Sequence, residues 1–430
     1  MLIRMSAVIG WLCAVAPGAD AAPVPKSLVI SAGTVAEYKK LGGVYGKLCS
    51  GRFGATIFKS FDDIDRTEGL PAFQFDAVPE GKLPAVAVPF GIDFSRERPG
   101  EDGLKGLVGL ENLRALSFHT ISVKDEELAG LDRLAGLETI DFGGGAITPR
   151  TLSQLKKLKA LRKLNLSDTP TTDLGLEELA GLEFLEQLGL RATPITDTGL
   201  AHLGDCKRIA SLDLGKTAVT DRGMKFVRQF RRLEMLDLGT TKVESAGIVE
   251  IAACKALKEL SLSGIRVGDA SSEAIGGLSD LTALDLSATG IADANLKGLK
   301  GLLKLEILNL RNNEVTGAGL EFLAGATRIR NMNLRRTKVG DAGMSTLKPL
   351  VNLEKLELSM TPVTDAGLRH LSGPGRLSDL ALQGTKITDA GLKEIRGLKR
   401  LAHLDLWATG ATAAGQRGLY EALPDCLILR

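Results

Sequence analysis

The stretch Leu161-Arg-Lys-Leu164-Asn-Leu166-Ser-Asp-Thr169-Pro-Thr-Thr172-Asp173-Leu-Gly175-Leu176-Glu-Glu-Leu179 decides the fold. Leu164 and Leu166 alternate with polar residues, the period-two pattern of a short strand with one buried face. Thr172-Asp173 then precedes apolar residues three apart, the pattern of a capped amphipathic helix. The unit therefore predicts one strand followed by one helix, and neither can bury its apolar side alone.

The same pattern recurs thirteen times with a period of 24 residues, its first aliphatic residue falling at Leu113, Leu137, Leu161, Leu185, Ile209, Leu233, Leu257, Leu281, Leu305, Ile329, Leu353, Leu377 and Leu401. Copies of such a unit bury their cores by stacking strand on strand and helix on helix, so the strands must run parallel. Parallel strands sit about 4.8 Å apart, whereas packed helices need roughly 8 to 10 Å. The mismatch predicts an α/β solenoid curved into a horseshoe, with a parallel sheet on the concave side and short helices on the convex side. Twelve steps of about 4.8 Å would give roughly 58 Å of concave sheet, the kind of surface such folds use for binding.

These residues resemble the leucine-rich-repeat family, in particular its strand-plus-helix type with Thr-Asp-x-Gly-Leu, similar to ribonuclease-inhibitor and F-box-associated repeats and to bacterial arrays. The resemblance covers about 300 of 430 residues. It implies a leucine-rich-repeat horseshoe, and it leaves function open because such repeats serve many unrelated partners.

Around the repeats, residues 1–21 read as an export signal: Arg4, an apolar run from Met5 to Ala16, and a small-x-small site at Ala19-Asp20-Ala21. The run is too short to span a bilayer, so a secreted or periplasmic protein is expected, with no membrane insertion after cleavage. Residues 22–88 are assigned to an N-terminal cap, with Thr34-Val-Ala-Glu37 as a capping box and Gly42-Gly43 as the helix end. Residues 89–112 read as a degenerate repeat, 113–422 as the thirteen repeats, and 423–430 as a closing strand with an unpaired edge.

Formal net charge is +2, which gives no global attraction to nucleic acid or anionic membrane. The histidines His119, His202, His370 and His403 are dispersed, and no Cys or His pair has metal-ligand spacing. Cys206 and Cys254 share a column with Leu110 and Leu158 and read as small core residues. Neither a recurring nucleophile-base pair nor a phosphate loop is present, so neither enzymatic chemistry nor a cofactor is expected.

Three polar columns repeat and are assigned to structure. Asp125, Asp173, Asp197, Asp221, Asp269, Asp293, Asp341, Asp365 and Asp389 start helices, where a carboxylate meets unpaired amide donors. The Thr column from Thr169 to Thr409, with Asn313 substituting once, would hydrogen-bond the turning backbone. Gly175, Gly199, Gly223 and their counterparts permit close packing of helices.

Function is sought on strand positions pointing away from the leucines. The central column is rich in short polar and acidic groups, among them Asp213, Asp237, Asp285 and Asp405. Asp213 and Asp237 fall about one strand spacing apart, roughly 4.8 Å, and a basic partner or cation would relieve their repulsion. The other reading of this column is a solvated polar face. Arg311, Arg335 and Arg336 form a basic patch able to fork onto carboxylate or phosphate. His403, Asp405 and Trp407 share a face in the last full strand, where Trp407 either packs against Leu419 or contributes to binding. The expected function is a non-catalytic scaffold that binds a protein or peptide partner on its concave sheet. The alternative, implied by the F-box resemblance, is a substrate-recognition subunit of a ubiquitin-ligase-like or effector assembly, which would need a helical adaptor in its first 90 residues. An enzyme built on His403 with Asp405 is a third possibility and lacks an evident nucleophile.

Overall fold

The computed structural model describes residues 29–60, 69–76, 79, 83–94, 104–121, 123–372 and 375–429. The expected export signal lies outside these residues. The chain divides into two compact units, the first running to Asp237 and the second from Leu238 to Arg430.

In the first unit the strands are β1 (Val44–Ser50), β2 (Thr56–Ser60), β3 (Leu70–Gln74), β4 (Phe90–Asp93), β5 (Leu113–Ser117), β6 (Thr139–Asp141), β7 (Lys163–Asn165), β8 (Gln187–Gly189), β9 (Ser211–Asp213) and β10 (Met235–Asp237). From β3 to β10 each strand pairs in parallel with the next, one repeat further on. β1 is antiparallel to both β2 and β3. The second unit carries β11 (Glu259–Ser261), β12 (Ala283–Asp285), β13 (Ile307–Asn309), β14 (Asn331–Asn333), β15 (Lys355–Glu357), β16 (Asp379–Ala381), β17 (His403–Asp405) and β18 (Leu427–Leu429). These are likewise parallel and in register. Strand followed by helix, repeated with the strands parallel, is the α/β leucine-rich-repeat fold.

Parallel pairing begins at β3, inside the segment that the sequence assigns to a cap. Its continuity shows in the core, where Phe75, Phe94, Phe118 and Phe142 stack in successive repeats at 6.3, 5.6 and 5.5 Å between ring centroids. They fill the column that Leu166, Leu190 and Leu214 occupy in the later repeats, all of them buried. A helix at Ala32–Lys40 closes this end, with Tyr38 stacked 4.0 Å from Phe73 and its hydroxyl donating to the Pro84 carbonyl at 2.9 Å. Its N-cap is Ser31 rather than Thr34, because the Ser31 hydroxyl accepts the Thr34 N–H at 3.2 Å. It ends as expected at Gly42, φ 86°, with the Gly43 N–H donating back to the Tyr38 carbonyl.

The Thr-Asp-x-Gly motif acts between repeats. Thr caps its own helix: the Thr220 hydroxyl accepts the Arg222 N–H, and Thr196, Thr316, Thr364, Thr388 and Thr412 do the same in theirs. Asp then reaches forward one repeat. Asp197 Oδ1 accepts the Thr220 N–H at 2.8 Å and its Oδ2 accepts the Thr220 hydroxyl at 2.6 Å. The same strap links Asp173 to Thr196, Asp293 to Thr316, Asp341 to Thr364, Asp365 to Thr388 and Asp389 to Thr412. The motif glycine of the receiving repeat makes the notch for that carboxylate, since a Cβ on Gly223 would sit 2.5 Å from Asp197 Oδ1. The Asp column is thus an inter-repeat strap, and the capping assigned to it belongs to Thr.

The Thr column bonds within its own repeat, each hydroxyl donating to the leucine carbonyl three residues back, as Thr217 does to Leu214 at 2.6 Å. Asn313 alone in that column crosses to the preceding repeat, donating to the Leu286 carbonyl and accepting the Thr289 and Gly290 N–H groups. One residue per repeat, from Thr120 in 24-residue steps to Ala408, takes a left-handed conformation, and only Gly144, Gly264 and Gly384 among them are glycine. A left-handed L-residue costs roughly 1–2 kcal/mol. Its turned N–H meets the next repeat, as when Asn312 donates to the Arg335 carbonyl at 2.9 Å.

Candidate functional site

With Thr, Asp and Gly committed to the helix side, the sheet face turned away from the helices is left for function. Its central column is largely self-satisfied. Asp141, Asn165, Asp213, Asp285, Asn309, Asn333, Glu357 and Asp405 each accept, through a side-chain oxygen, the N–H two residues on. Short side chains with an acceptor suit that turn, which accounts for the column's composition.

In the first unit this face is covered by the chain's own β1–β2 hairpin. Leu48 on β1 packs with Ala72 and Ala115, and a Cβ on Gly91 would lie 2.6 Å from its Cδ1. At the far end, Thr56 donates its N–H and hydroxyl to Asp141 Oδ2 at 2.6 and 3.0 Å. Lys163 Nζ donates to the Ser50 hydroxyl at 2.8 Å. The tip, Arg52–Gly54, lies over β7 and β8, where the Phe53 carbonyl would stand 2.8 Å from a Cβ on Gly189. Gly189 is the one glycine in the central column between Asp141 and Asp237, and it makes that approach possible. Asp141 is fully buried, and its Oδ1 also accepts Asn165 Nδ2 at 2.8 Å. His119 Nδ1 stands 3.5 Å from Asp141, which raises its pKa.

Asp213 and Asp237 are adjacent in register, as the spacing predicts. Their counter-cation is internal: Arg191 Nη1 is 3.3 Å from Asp237 Oδ2 and 3.8 Å from Asp213 Oδ1. Burial first, and the charge of Asp237 second, push the Asp213 carboxyl up to about 7, against the opposing pull of the Gly215 N–H, Arg191 and Arg52. An unfolded chain ionises an aspartate near pH 4, about 3.9. Between that value and the folded one, the folded chain holds a proton that the unfolded chain has released, so this contribution to stability falls as pH rises toward 7. Asp213→Asn keeps an acceptor for Gly215 and removes the charge. It is expected to raise the Tm at pH 8 and to change it little at pH 5. Equal shifts at both pH values would mean that Asp213 is ionised throughout.

In the second unit the face carries the arginines. Arg335 Nη1 donates to Gln383 Oε1 at 3.1 Å and stands 4.0 Å from Glu357 Oε2, while its buried Nε has no acceptor among the described residues. Arg311 lies one strand before it, half-buried, and Arg336 beside it is exposed. Burial first, and the charges of Arg335 and Arg336 after it, hold the Arg311 guanidinium below its ordinary pKa. His403 pairs across the strands with Asp379, Nδ1 to Oδ1 3.1 Å, rather than with Asp405, whose Oδ1 accepts the Trp407 N–H. Trp407 is 44% exposed, and Leu419 is buried. Asp285 is buried and accepts the Ser287 N–H. The sequence reading passed over Met360, 41% exposed, whose sulfur would be 2.6 Å from a Cβ on Gly384. Among the described residues no group of three or more His, Cys, Asp or Glu side chains could hold a metal, and no helix is long and apolar enough to cross a membrane.

Comparison with known proteins agrees with this architecture. A family model described as Leucine Rich repeat matches residues 301–324. No curated protein matches the sequence. Among solved structures, an internalin from Listeria monocytogenes is similar at 19% identity and a TM-score of 0.57, with 89% of this chain and 97% of that chain covered. A leucine-rich-repeat protein of Leptospira interrogans is similar at 20% identity and a TM-score of 0.55, with 80% of this chain and 95% of that chain covered. At such identities the likeness concerns the fold alone, and the fold is that of leucine-rich-repeat proteins.

Proposed function

We propose that this protein is a non-catalytic interaction scaffold that binds a protein or peptide partner on the helix-free face of its second unit. The observation that carries the reading is the contrast between the two units. The recurring polar columns are consumed by capping, strapping and turns, and the first unit's face is occupied by its own hairpin. Arg311, Arg335, Arg336 and Trp407 remain presented to solvent on the other. Mixed charge on this face, with Glu357, Asp379 and Asp405 near the arginines, favours a protein over nucleic acid.

The reading as an adaptor subunit calls for a helical N-terminal module, and the described residues between 29 and 94 hold four strands, one α-helix of nine residues and one three-residue 3-10 turn. Export to the periplasm or exterior belongs to the same proposal and rests on Arg4 and the apolar run that follows it.

Capture of partners from the surroundings of the native host by the immobilised full chain tests the proposal. Arg311→Glu with Arg335→Glu should abolish specific capture, while Lys393→Glu, an exposed helix-side control, should leave it intact. Partners retained by the double reversal, or lost equally with the control, would overturn it. N-terminal sequencing of the mature protein from fractionated cells tests export, and an uncleaved cytosolic chain would refute it.

A further inference from the structure

Two chemistries lie side by side on the open face of the second unit. The first is an arginine cluster short of acceptors. Among the described residues no carboxylate is within ion-pair distance of Arg311, and Arg335 keeps a buried Nε unsatisfied. Burial and mutual repulsion disfavour the charge on Arg311, and Glu357 and Asp285 offset this only in part. A carboxylate matches the guanidinium fork and would meet the half-buried Arg311 and the exposed Arg336 from the solvent side. A run of phosphates fits poorly, because Glu357 on the next strand and Asp379 and Asp405 on the two strands beyond it would repel a polyanion along its length, whereas a single carboxylate would face Glu357 alone.

The second chemistry is apolar. Met360 lies over Gly384, and Trp407 follows one repeat after Gln383. Between Glu357 and Asp405 the central column drops to Ala381, which lowers the surface beside both side chains. An exposed tryptophan three repeats from an arginine cluster, with Met360 between them, has the composition of an interface hot spot.

We propose that Arg311, Arg335 and Arg336, together with Met360 and Trp407, form a docking site for an extended segment of a partner protein that carries one carboxylate and one apolar side chain. Its carboxylate sits on the arginines and an apolar side chain rests on Met360 and Trp407. Arg335 and Trp407 are three repeats apart, so three strand steps separate them, roughly 14 Å at about 4.8 Å each. An extended chain rises about 3.4 Å per residue, so the acidic and apolar residues are about four positions apart. The site rests on the scaffold reading above and specifies the class of segment which that scaffold takes.

The test titrates the full chain with fluorescein-labelled synthetic peptides of about ten residues. Each carries one Glu and one Phe at spacings of two, four, six or eight in either order, with Ser and Gly elsewhere. Anisotropy reports binding, and Trp407 fluorescence reports contact, Trp11 being the only other tryptophan in the chain. Binding should be tightest at a spacing of four. Arg311→Ala with Arg335→Ala should weaken it about tenfold or more and flatten its salt dependence, whereas Trp407→Ala should weaken it about tenfold with the salt dependence kept. Circular dichroism confirms that each variant is folded. Spacing-independent binding, equal binding of a polyphosphate, or no saturation by about 1 mM peptide would overturn the proposal. If the peptides fail while Arg311→Glu with Arg335→Glu still abolishes partner capture, the scaffold reading stands and this site chemistry falls. If capture also survives the reversal, both fall.

Discussion

Replacing Asp141 by Ala is expected to destabilise the first unit by roughly 3–5 kcal/mol and to free the hairpin tip. The carboxylate is fully buried and accepts from the Thr56 N–H at 2.6 Å, the Thr56 hydroxyl at 3.0 Å, the Gly143 N–H at 2.9 Å and Asn165 Nδ2 at 2.8 Å. Bonds to a charged acceptor contribute about 1.5–3 kcal/mol each, and losing several from one buried atom pair is not additive. A fall in Tm on the order of 10 °C should follow. Trypsin should then cut after Arg52 faster than in the parent chain. Thr56→Val removes only the hydroxyl bond and should cost about 1 kcal/mol. An Asp141→Ala chain with an unchanged Tm would mean that the hairpin is not held by this residue.

Gly223→Ala is expected to destabilise by about 2–4 kcal/mol, opposite in sign to the gain of roughly 1 kcal/mol that Gly→Ala usually brings in a helix. The added Cβ would lie 2.5 Å from Asp197 Oδ1, 2.8 Å from Val219 Cγ1 and 3.0 Å from Leu200 Cδ1, all from a packed interior. Displacing the carboxylate gives up both bonds to Thr220. Gly204, whose Cβ would meet nothing within 4 Å, is the control, and Gly204→Ala should be neutral or stabilising. With Asp197→Ala already in place, the penalty at Gly223 should shrink, because the atom it meets at 2.5 Å is gone. Additive losses in that double-mutant cycle would show that the strap and the notch are independent.

How much of this was legible in the sequence varies with the range of the interaction. The leucine columns and the strand-helix alternation are local patterns, and they are as the 24-residue period predicts. The Asp, Thr and Gly columns could be assigned to structure, but their partnership joins residues 23 apart, such as Asp197 and Thr220, and a pattern read within one repeat does not reveal it. The left-handed position was illegible because Thr, Asp, Ala, Lys, Asn, Arg and Met all occupy it. In the central column, composition alone could not separate Asp405 accepting its own Trp407 N–H from Asp405 awaiting a partner.

The hairpin was the largest omission. Its signals were the small residues that clear its path, Gly91, Ala115 and Gly189, at positions where other repeats carry larger side chains. They become meaningful only once Leu48 and Phe53 are seen above them. Arg191 is a similar case, since it stands 24 residues before Gly215 and nothing in the sequence shows its reach to Asp213 and Asp237.

The division of labour between a self-covered face and an open one is tested most directly by amide hydrogen exchange on the full chain. The segment Cys49–Thr56 should exchange as slowly as the parallel strands β6 to β9 beneath it, because the Thr56 amide is bonded to Asp141 and the tip is seated on β7 and β8. Exchange of that segment at the rate of an exposed turn would contradict the account and return the first unit's face to the list of binding surfaces.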